Sequence, residues 1–277
     1  MVRLLIALDV DGTIVHHDGV TISPRVSAAV RATYSMGHHV VLSTGRSPAS
    51  TLPVTAALGL GSGFAVCSNG SVTLRLDVSA PGGHTVLANA TFDPHAALEV
   101  IERMWPGCAV AVEVPGVQGF RATESFPRAE LAGDVVMVPW ERLGARGASR
   151  LVVHAAASPA QVARVVGDLG LTSVEDTSGS TGAVEIGPRA VSKASALEAL
   201  RADLGIAAVN TVAVGDHVND VEMLRWAGRG IAMGQAPAVA RDAATEVAPA
   251  VEDDGLAVVL ESLVALRTSP PEPSQVS

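Results

Sequence analysis

Short apolar runs that stop at polar loops and hand over to proline-marked helix starts recur along this chain, and that alternation restricts its fold more than any other feature. Residues 4–8, Leu-Leu-Ile-Ala-Leu, form one such run, and residues 39–43 and 65–68 form two more. Each has strand length and ends at turn-forming residues. Between them Ser23-Pro24 and Ser47-Pro48 mark helix starts, with serine as N-cap and proline in the first turn. The device returns at Asp93-Pro94 and Ser158-Pro159. Strands and helices alternating at these spacings predict βαβ units on a parallel sheet, an α/β fold.

The texture changes between about residues 81 and 187. Residues 84–92 read as a strand and 94–104 as a helix, and 109–114, 119–123 and 135–140 read as short β segments separated by Gly and Pro turns. A strand over 149–155 and a helix over 159–169 follow, and 173–177 with 183–186 suggest a hairpin around Ser178-Gly179-Ser180-Thr181-Gly182. This predicts an α+β insert of small-domain size. From Ser192 the alternation resumes: helix 193–204, strand 211–214, helix 218–227, strand 230–233, a helix from near Ala236, strand 246–248 and helix 255–266. The expected organisation is a core from 1–81 and 187–267, an insert over 82–186, and a disordered tail, 268–277, with three prolines.

Composition narrows the function. A formal charge of −9 disfavours nucleic acid or an anionic membrane as partner. No apolar run reaches membrane-spanning length, and Asp9 and Asp11 cut the first one too short for a signal peptide. Cys67 and Cys108 cannot make a disulfide framework, so reduced thiols and a cytoplasmic setting are expected. Aromatics at 3% leave Ala, Val and Leu to fill the core and argue against a stacking platform for a ring. Any anionic substrate would need a locally positive site built from metal, lysine and helix N-termini.

Polar clusters stand at the ends of the strand-like runs: Asp9-Val10-Asp11-Gly12-Thr13, Ser43-Thr44-Gly45-Arg46, Ser192-Lys193 and Gly215-Asp216-His217-Val218-Asn219-Asp220. Asp9 and Asp11, at i and i+2, share a side of a nearly extended chain. Such a pair suits hard-metal binding, carboxylate attack or proton transfer, and also a solvated strand-to-turn pair. In an open α/β sheet, ligands bind beyond the carboxyl ends of the strands, so the four clusters can converge. Acids, a hydroxyl and a lysine together make a phosphoryl-transfer set. Lys193 at a helix start opposes the helix dipole, which points to an anion beside it. Arg46 reads as an ion-pairing residue outside the chemistry.

Taken in order, these clusters resemble the four motifs of the haloacid dehalogenase (HAD) superfamily of phosphatases, in its Cof-type subfamily with a C2-type cap between the second and third motifs. Ser68-Asn69-Gly70, Glu185-Ile186, Met223-Leu224, Met233-Gly234-Gln235-Ala236 and Asp254-Gly255 match as well. The resemblance implies a doubly wound, Rossmann-like core with an inserted α+β cap that reads the substrate. It also implies Mg²⁺-dependent hydrolysis of a small phosphorylated metabolite, with sugar phosphates the leading class. Asp9 would be the nucleophile, forming an aspartyl-phosphate, and Asp11 the general acid/base. Asp9, the Asp11 backbone carbonyl and Asp216 would hold Mg²⁺, and Asp220 would orient a metal-bound water or Lys193. Thr44, Gly45, Lys193 and Asn219 would bind the phosphate. His217 departs from the small polar residue expected there; it is either an exposed loop histidine or part of the mouth of the site.

The same acids would serve a phosphomutase, and less well a receiver module or a non-catalytic phosphate-binding protein. Candidate cap contacts are Glu113, Arg121, Glu175 and Asp176, with His154 or Arg121 available to a second anionic group. No residue pattern fixes an oligomeric state.

Overall fold

The computed structural model describes residues 2–116, 119–154, 158–175 and 183–268, with side chains to 265. The first part of the chain forms β1 (Leu5–Leu8), α1 (Pro24–Ser35), β2 (His39–Ser43), α2 (Pro48–Ala57), β3 (Ser62–Cys67), β4 (Val72–Asp77) and β5 (His84–Asn89). Then come α3 (His95–Met104), β6 (Ala109–Glu113), β7 (Gly119–Ala122), β8 (Asp134–Met137), β9 (Arg150–His154), α4 (Pro159–Asp168), β10 (Thr172–Glu175) and β11 (Val184–Gly187). The last part holds α5 (Lys193–Asp203), β12 (Thr211–Gly215), α6 (Val221–Trp226), β13 (Arg229–Ala232), α7 (Ala238–Arg241), β14 (Glu246–Val247) and α8 (Gly255–Thr268). No helix among the described residues is long and apolar enough to cross a membrane.

Two sheets result. The larger runs β14-β13-β12-β1-β2-β3-β4-β5 and is parallel from β14 to β3. Its central strand β1 is apolar at every position because it is covered on both faces. Ile6 and Leu8 pack with Val26, Val30, Leu256 and Leu260 from α1 and α8, and Leu5 and Ala7 pack with Leu197, Leu200, Met223 and Leu224 from α5 and α6. Helices on both faces make this half doubly wound, as expected. The chain leaves β1 toward β2 on one side and returns to β12 on the other. The crevice beyond β1 and β12 is therefore the topological switch point, where an open α/β sheet binds ligands.

The smaller sheet runs β10-β11-β9-β6-β7-β8 and is antiparallel except at β7–β8. Alternation along its strands separates two faces. Val110, Val112, Leu151 and Val153 pack under α3 and α4 with Leu98, Ile101, Val162 and Val166. Ala109, Ala111, Phe120 and Val152 belong to the opposite face, which no α-helix covers among the described residues and which turns toward the switch point.

The structure moves one boundary. The strand expected at 84–92 as part of the insert is β5, and it pairs with β4 at the edge of the large sheet. The core thus runs to Asn89 rather than to residue 81. Residues 72–77, to which the sequence analysis assigns no element, alternate as Val-Thr-Leu-Arg-Leu-Asp and form β4, antiparallel to β3 over Ser62–Cys67. The expected helix over 218–227 begins as a 3₁₀ turn, Val218–Asp220, before α6. Residues 178–182 of the expected hairpin turn, and 269–277 of the expected tail, lie outside the described residues.

Candidate active site

Asp9 stands one residue past β1, and its N–H donates to the Val214 carbonyl of β12 at 2.9 Å, so the ladder itself fixes the residue at the switch point. Its Oδ1 accepts from Lys193 Nζ at 2.6 Å, and the same ammonium donates to Asp220 Oδ1 at 2.7 Å. Lys193 is the first residue of α5, and the two carboxylates account for a fully buried cation at a helix N-terminus. Burial by itself would favour loss of its proton; the Asp220 and Asp9 charges outweigh that and hold it protonated. Ser192 caps the helix, accepting from the Ser195 N–H at 3.3 Å while Ser195 Oγ accepts from the Ser192 N–H at 2.9 Å.

Asp220 is spent on structure. Its Oδ2 accepts the N–H groups of Asp216 and His217, each at 3.0 Å, and so closes the loop that carries Asp216. Gly215 is needed for that closure, because a Cβ there would lie 2.5 Å from Asp220 Cγ. Among the described residues the Asp216 carboxylate makes only long contacts, 3.5 Å from Thr13 Oγ1 of the first loop and 3.4 Å from Gln235 Nε2 beyond β13. Gln235 also donates to the Gly12 carbonyl at 2.6 Å and accepts from the Val251 N–H at 3.0 Å. Gly12 has φ +76°, and a Cβ on it would sit 2.2 Å from Asp216 Oδ2. The Asp-Gly step therefore serves the approach of Asp216 as well as the turn.

Asp9, Asp216 and Asp220 each place a carboxylate oxygen within 4.8 Å of the others, and all are buried. Burial, reinforced by Asp220, pushes Asp9 well above the usual carboxylate range, and the same causes push Asp216 up to about 6. One ammonium leaves negative charge unmet in this group, and an all-oxygen donor set of this kind fits a hard divalent cation. With Asp220 bound to Lys193 and the loop amides, Asp9 and Asp216 retain oxygens for it.

Asp11 does not share that group. The chain bends at Val10 once β1 has ended, so the i, i+2 rule for an extended chain no longer holds and the two side chains diverge. Arg46 takes the Asp11 carboxylate instead, with Nε 2.8 Å from Oδ2 and Nη2 2.5 Å from Oδ1, and it also donates to the Gly19 carbonyl at 2.9 Å. Arg46 is thus an ion-pairing residue as read from the sequence, but its partner is the second acid of the first motif. Thr44 is buried past the end of β2, and its Oγ1 accepts from the Arg46 N–H at 3.0 Å.

A cavity of about 900 Å³ opens above these groups and is lined by Asp9, Asp11, Thr44, Gly45, Asp216 and Asn219 from the core. The open face of the small sheet forms its roof. There Arg150 donates through Nε to Glu113 Oε2 at 2.9 Å, through Nη1 to the Gly45 carbonyl at 2.6 Å, and to Glu185. Ser68 Oγ donates to Glu113 Oε1 at 2.9 Å, and Asn69 Nδ2 to Glu185 Oε2 at 2.5 Å. Asn69 Oδ1 in turn accepts from Asn219 Nδ2 at 3.0 Å. Ser68, Asn69 and Gly70 all have positive φ, a turn that costs about 1–3 kcal/mol per non-glycine residue and recurs where function over-determines the backbone.

Neither Arg150 nor the linking role of Ser68, Asn69 and Glu185 is evident from the four motifs. Strand alternation carries the signal for Arg150, a charge in phase with Val152 on the face opposite Leu151 and Val153. Among the expected cap contacts, Glu175 lines the cavity, and so does His217 of the core loop. Glu113 lies behind the wall, Arg121 reaches the Arg142 carbonyl at 3.4 Å, and His154 holds Glu130 at 2.8 Å. Asp176 lies outside the described residues. Scarce as aromatics are, Phe120 and Phe126 both line the roof.

Known proteins resemble this chain in sequence and in fold. The family described as haloacid dehalogenase-like hydrolase matches residues 6–104 and 161–260, leaving out much of the small sheet. The 5-amino-6-(5-phospho-D-ribitylamino)uracil phosphatase of Bacillus subtilis is 26% identical over 94% of this chain and 95% of its own. A phosphoglycolate phosphatase of Natronomonas pharaonis is 28% identical over 92% and 96%. Among solved structures, a HAD subclass IIB sugar phosphatase superposes with a TM-score of 0.76 at 17% identity, covering 95% of this chain and 99% of that one. The family match spans most of the chain and both sheets have their counterpart in the superposed fold: the chain belongs to the haloacid dehalogenase-like hydrolases, as a Cof-type phosphatase with its cap inserted between the second and third motifs.

Proposed function

We propose that this chain is a cytoplasmic, Mg²⁺-dependent phosphomonoester hydrolase that acts on a small phosphorylated metabolite, a sugar phosphate being the leading class, through an aspartyl-phosphate on Asp9. The observation that carries the reading is the buried Asp9–Lys193–Asp220 bridge, whose Asp9 lines, with Asp216, the floor of a cavity that the cap roofs. Relatives named for a ribityl phosphate and for phosphoglycolate support hydrolysis of small monoesters.

When bound, the cation would be held by Asp9, Asp216 and the Asp11 main-chain carbonyl, and would supply the positive charge that lets a carboxylate approach a phosphate. Lys193 fixes Asp9 through Oδ1 and leaves Oδ2 to attack phosphorus. As the new Asp9–phosphorus bond forms, the ester P–O bond breaks and its electron pair goes to the leaving oxygen, which takes a proton from Asp11. Water then attacks the aspartyl-phosphate and Asp11 takes its proton, releasing phosphate and restoring the Asp9 carboxylate. Asp11 can perform either transfer only after Arg46 yields one of its carboxylate oxygens, so Arg46 is a positioning residue for the acid/base. Lys193, the Thr44 hydroxyl, the Gly45 amide and the Asn219 side chain bind the phosphoryl oxygens.

A phosphate-release screen over phosphorylated metabolites, with and without Mg²⁺, tests this reading. Asp9→Asn should abolish turnover while leaving circular dichroism unchanged, and wild-type rates in that variant would remove Asp9 as nucleophile. Stoichiometric release of inorganic phosphate separates a hydrolase from a mutase.

A further inference from the structure

We propose that the cap half of the cavity selects leaving groups that are neutral or cationic, with hydroxyl or amine donors beside a short apolar face, and disfavours those with a second negative charge. The inference rests on the phosphomonoester hydrolase reading and names the substrate class within it. The cap contributes Phe120, Phe126, Glu130, Arg150, Glu175 and Glu185 to the cavity wall, three carboxylates against one guanidinium.

That guanidinium is already ion-paired to two carboxylates of the cap itself. Arg150 is held by Glu113, Glu185 and the Gly45 carbonyl, and its Cζ lies 5.8 Å above the centre of the Phe120 ring. Arg46, on the core side of the wall, is likewise committed to Asp11 and the Gly19 carbonyl. Glu175 is different: it is exposed at the end of β10 and lines the cavity, and its side chain makes no hydrogen bond or ion pair among the described residues. Glu130 retains acceptor capacity beyond its contact with His154. A leaving group that donates hydrogen bonds finds acceptors here. One with a carboxylate or second phosphate meets like charge, with both arginines of the wall already engaged. Phe120 and Phe126 supply the apolar part of the wall, suited to the C–H face of a sugar or polyol.

An open-chain six-carbon series isolates the charge at C1: 1-amino-1-deoxysorbitol 6-phosphate, sorbitol 6-phosphate and 6-phosphogluconate. Each is measured as substrate and as competitor of p-nitrophenyl phosphate hydrolysis, so that even a slow ester is ranked. At low salt the first two should exceed 6-phosphogluconate by at least about tenfold in kcat/KM or inhibitory potency, a ratio that added salt narrows. Glu175→Gln should reduce the ratio, and Glu175→Lys should shift preference toward 6-phosphogluconate. Wild-type preference for 6-phosphogluconate, equal ranking of the series, or a ratio unmoved by Glu175→Lys would each overturn the inference while leaving the hydrolase reading intact. Absence of phosphate release from every ester, p-nitrophenyl phosphate included, would overturn both.

Discussion

The floor and the roof of the cavity face the same electrostatic problem and resolve it differently. On the floor, Lys193 stands against Asp9, Asp216 and Asp220; on the roof, Arg150 stands against Glu113 and Glu185. Each cation is outnumbered in a buried setting. The roof answers with neutral donors, Ser68 Oγ–H and Asn69 Nδ2–H, which cross from the core to complete the two glutamates. On the floor only Asp220 is completed in that way, by two loop N–H groups; among the described residues the Asp216 carboxylate makes only long contacts, and its carboxyl and that of Asp9 are pushed up. A satisfied network is a clamp, and an unsatisfied one is a place for a ligand.

The largest expected effect lies on the floor. Lys193→Ala should lower kcat/KM by about 10²–10³-fold, as removal of a main charge stabiliser does. A loss of less than about tenfold, measured on the best substrate of the release screen, would make Lys193 a structural ion and erase the distinction from Arg150. On the roof the expected loss is one of stability. Arg150→Ala leaves Glu113 buried and unpaired and should cost about 3–5 kcal/mol in urea unfolding. The double variant Arg150→Met/Glu113→Gln should lose clearly less, because it removes the stranded charge. Equal losses in the two would show that the roof is held by packing instead.

A smaller effect sharpens the contrast through pH. Asp216 is raised to about 6 in the folded protein, above its ordinary value of 3.8. Without divalent cation, its contribution to stability is full below about pH 4 and is lost as pH rises through about 6, since the folded state binds the proton more tightly. Added Mg²⁺ should therefore raise the Tm by more at pH 7.5 than at pH 5, by a few degrees in calorimetry. Equal shifts at both pH values would mean that the floor carries no unmet charge.

Much of the floor is legible in the order of residues alone. Asp9, Thr44, Lys193 and Asp216 stand at strand ends or helix starts, and a doubly wound sheet collects such positions along one edge whatever their separation in the chain. Arg46 is legible as an ion-pairing residue but its partner is not, because the pair depends on the bend at Val10 turning Asp11 away from Asp9. Residues 84–92 read as a strand, but the sheet that 84–89 join is hidden until β4, which ties them to the core, is recognised as a strand as well.

The sequence by itself determined the alternation that makes the core, the insert that interrupts it, and the four loops that meet at the switch point. Tertiary structure alone decided the roof. Glu113 and Arg150 face each other through the register of β6 on β9, and Ser68 and Asn69 reach Glu113 and Glu185 only when the cap is seated on the core. Strand ends gather by topology, which a one-dimensional pattern records. Cross-strand pairs and domain contacts depend on register and docking, which are set by the packing of faces that no single segment of the chain contains.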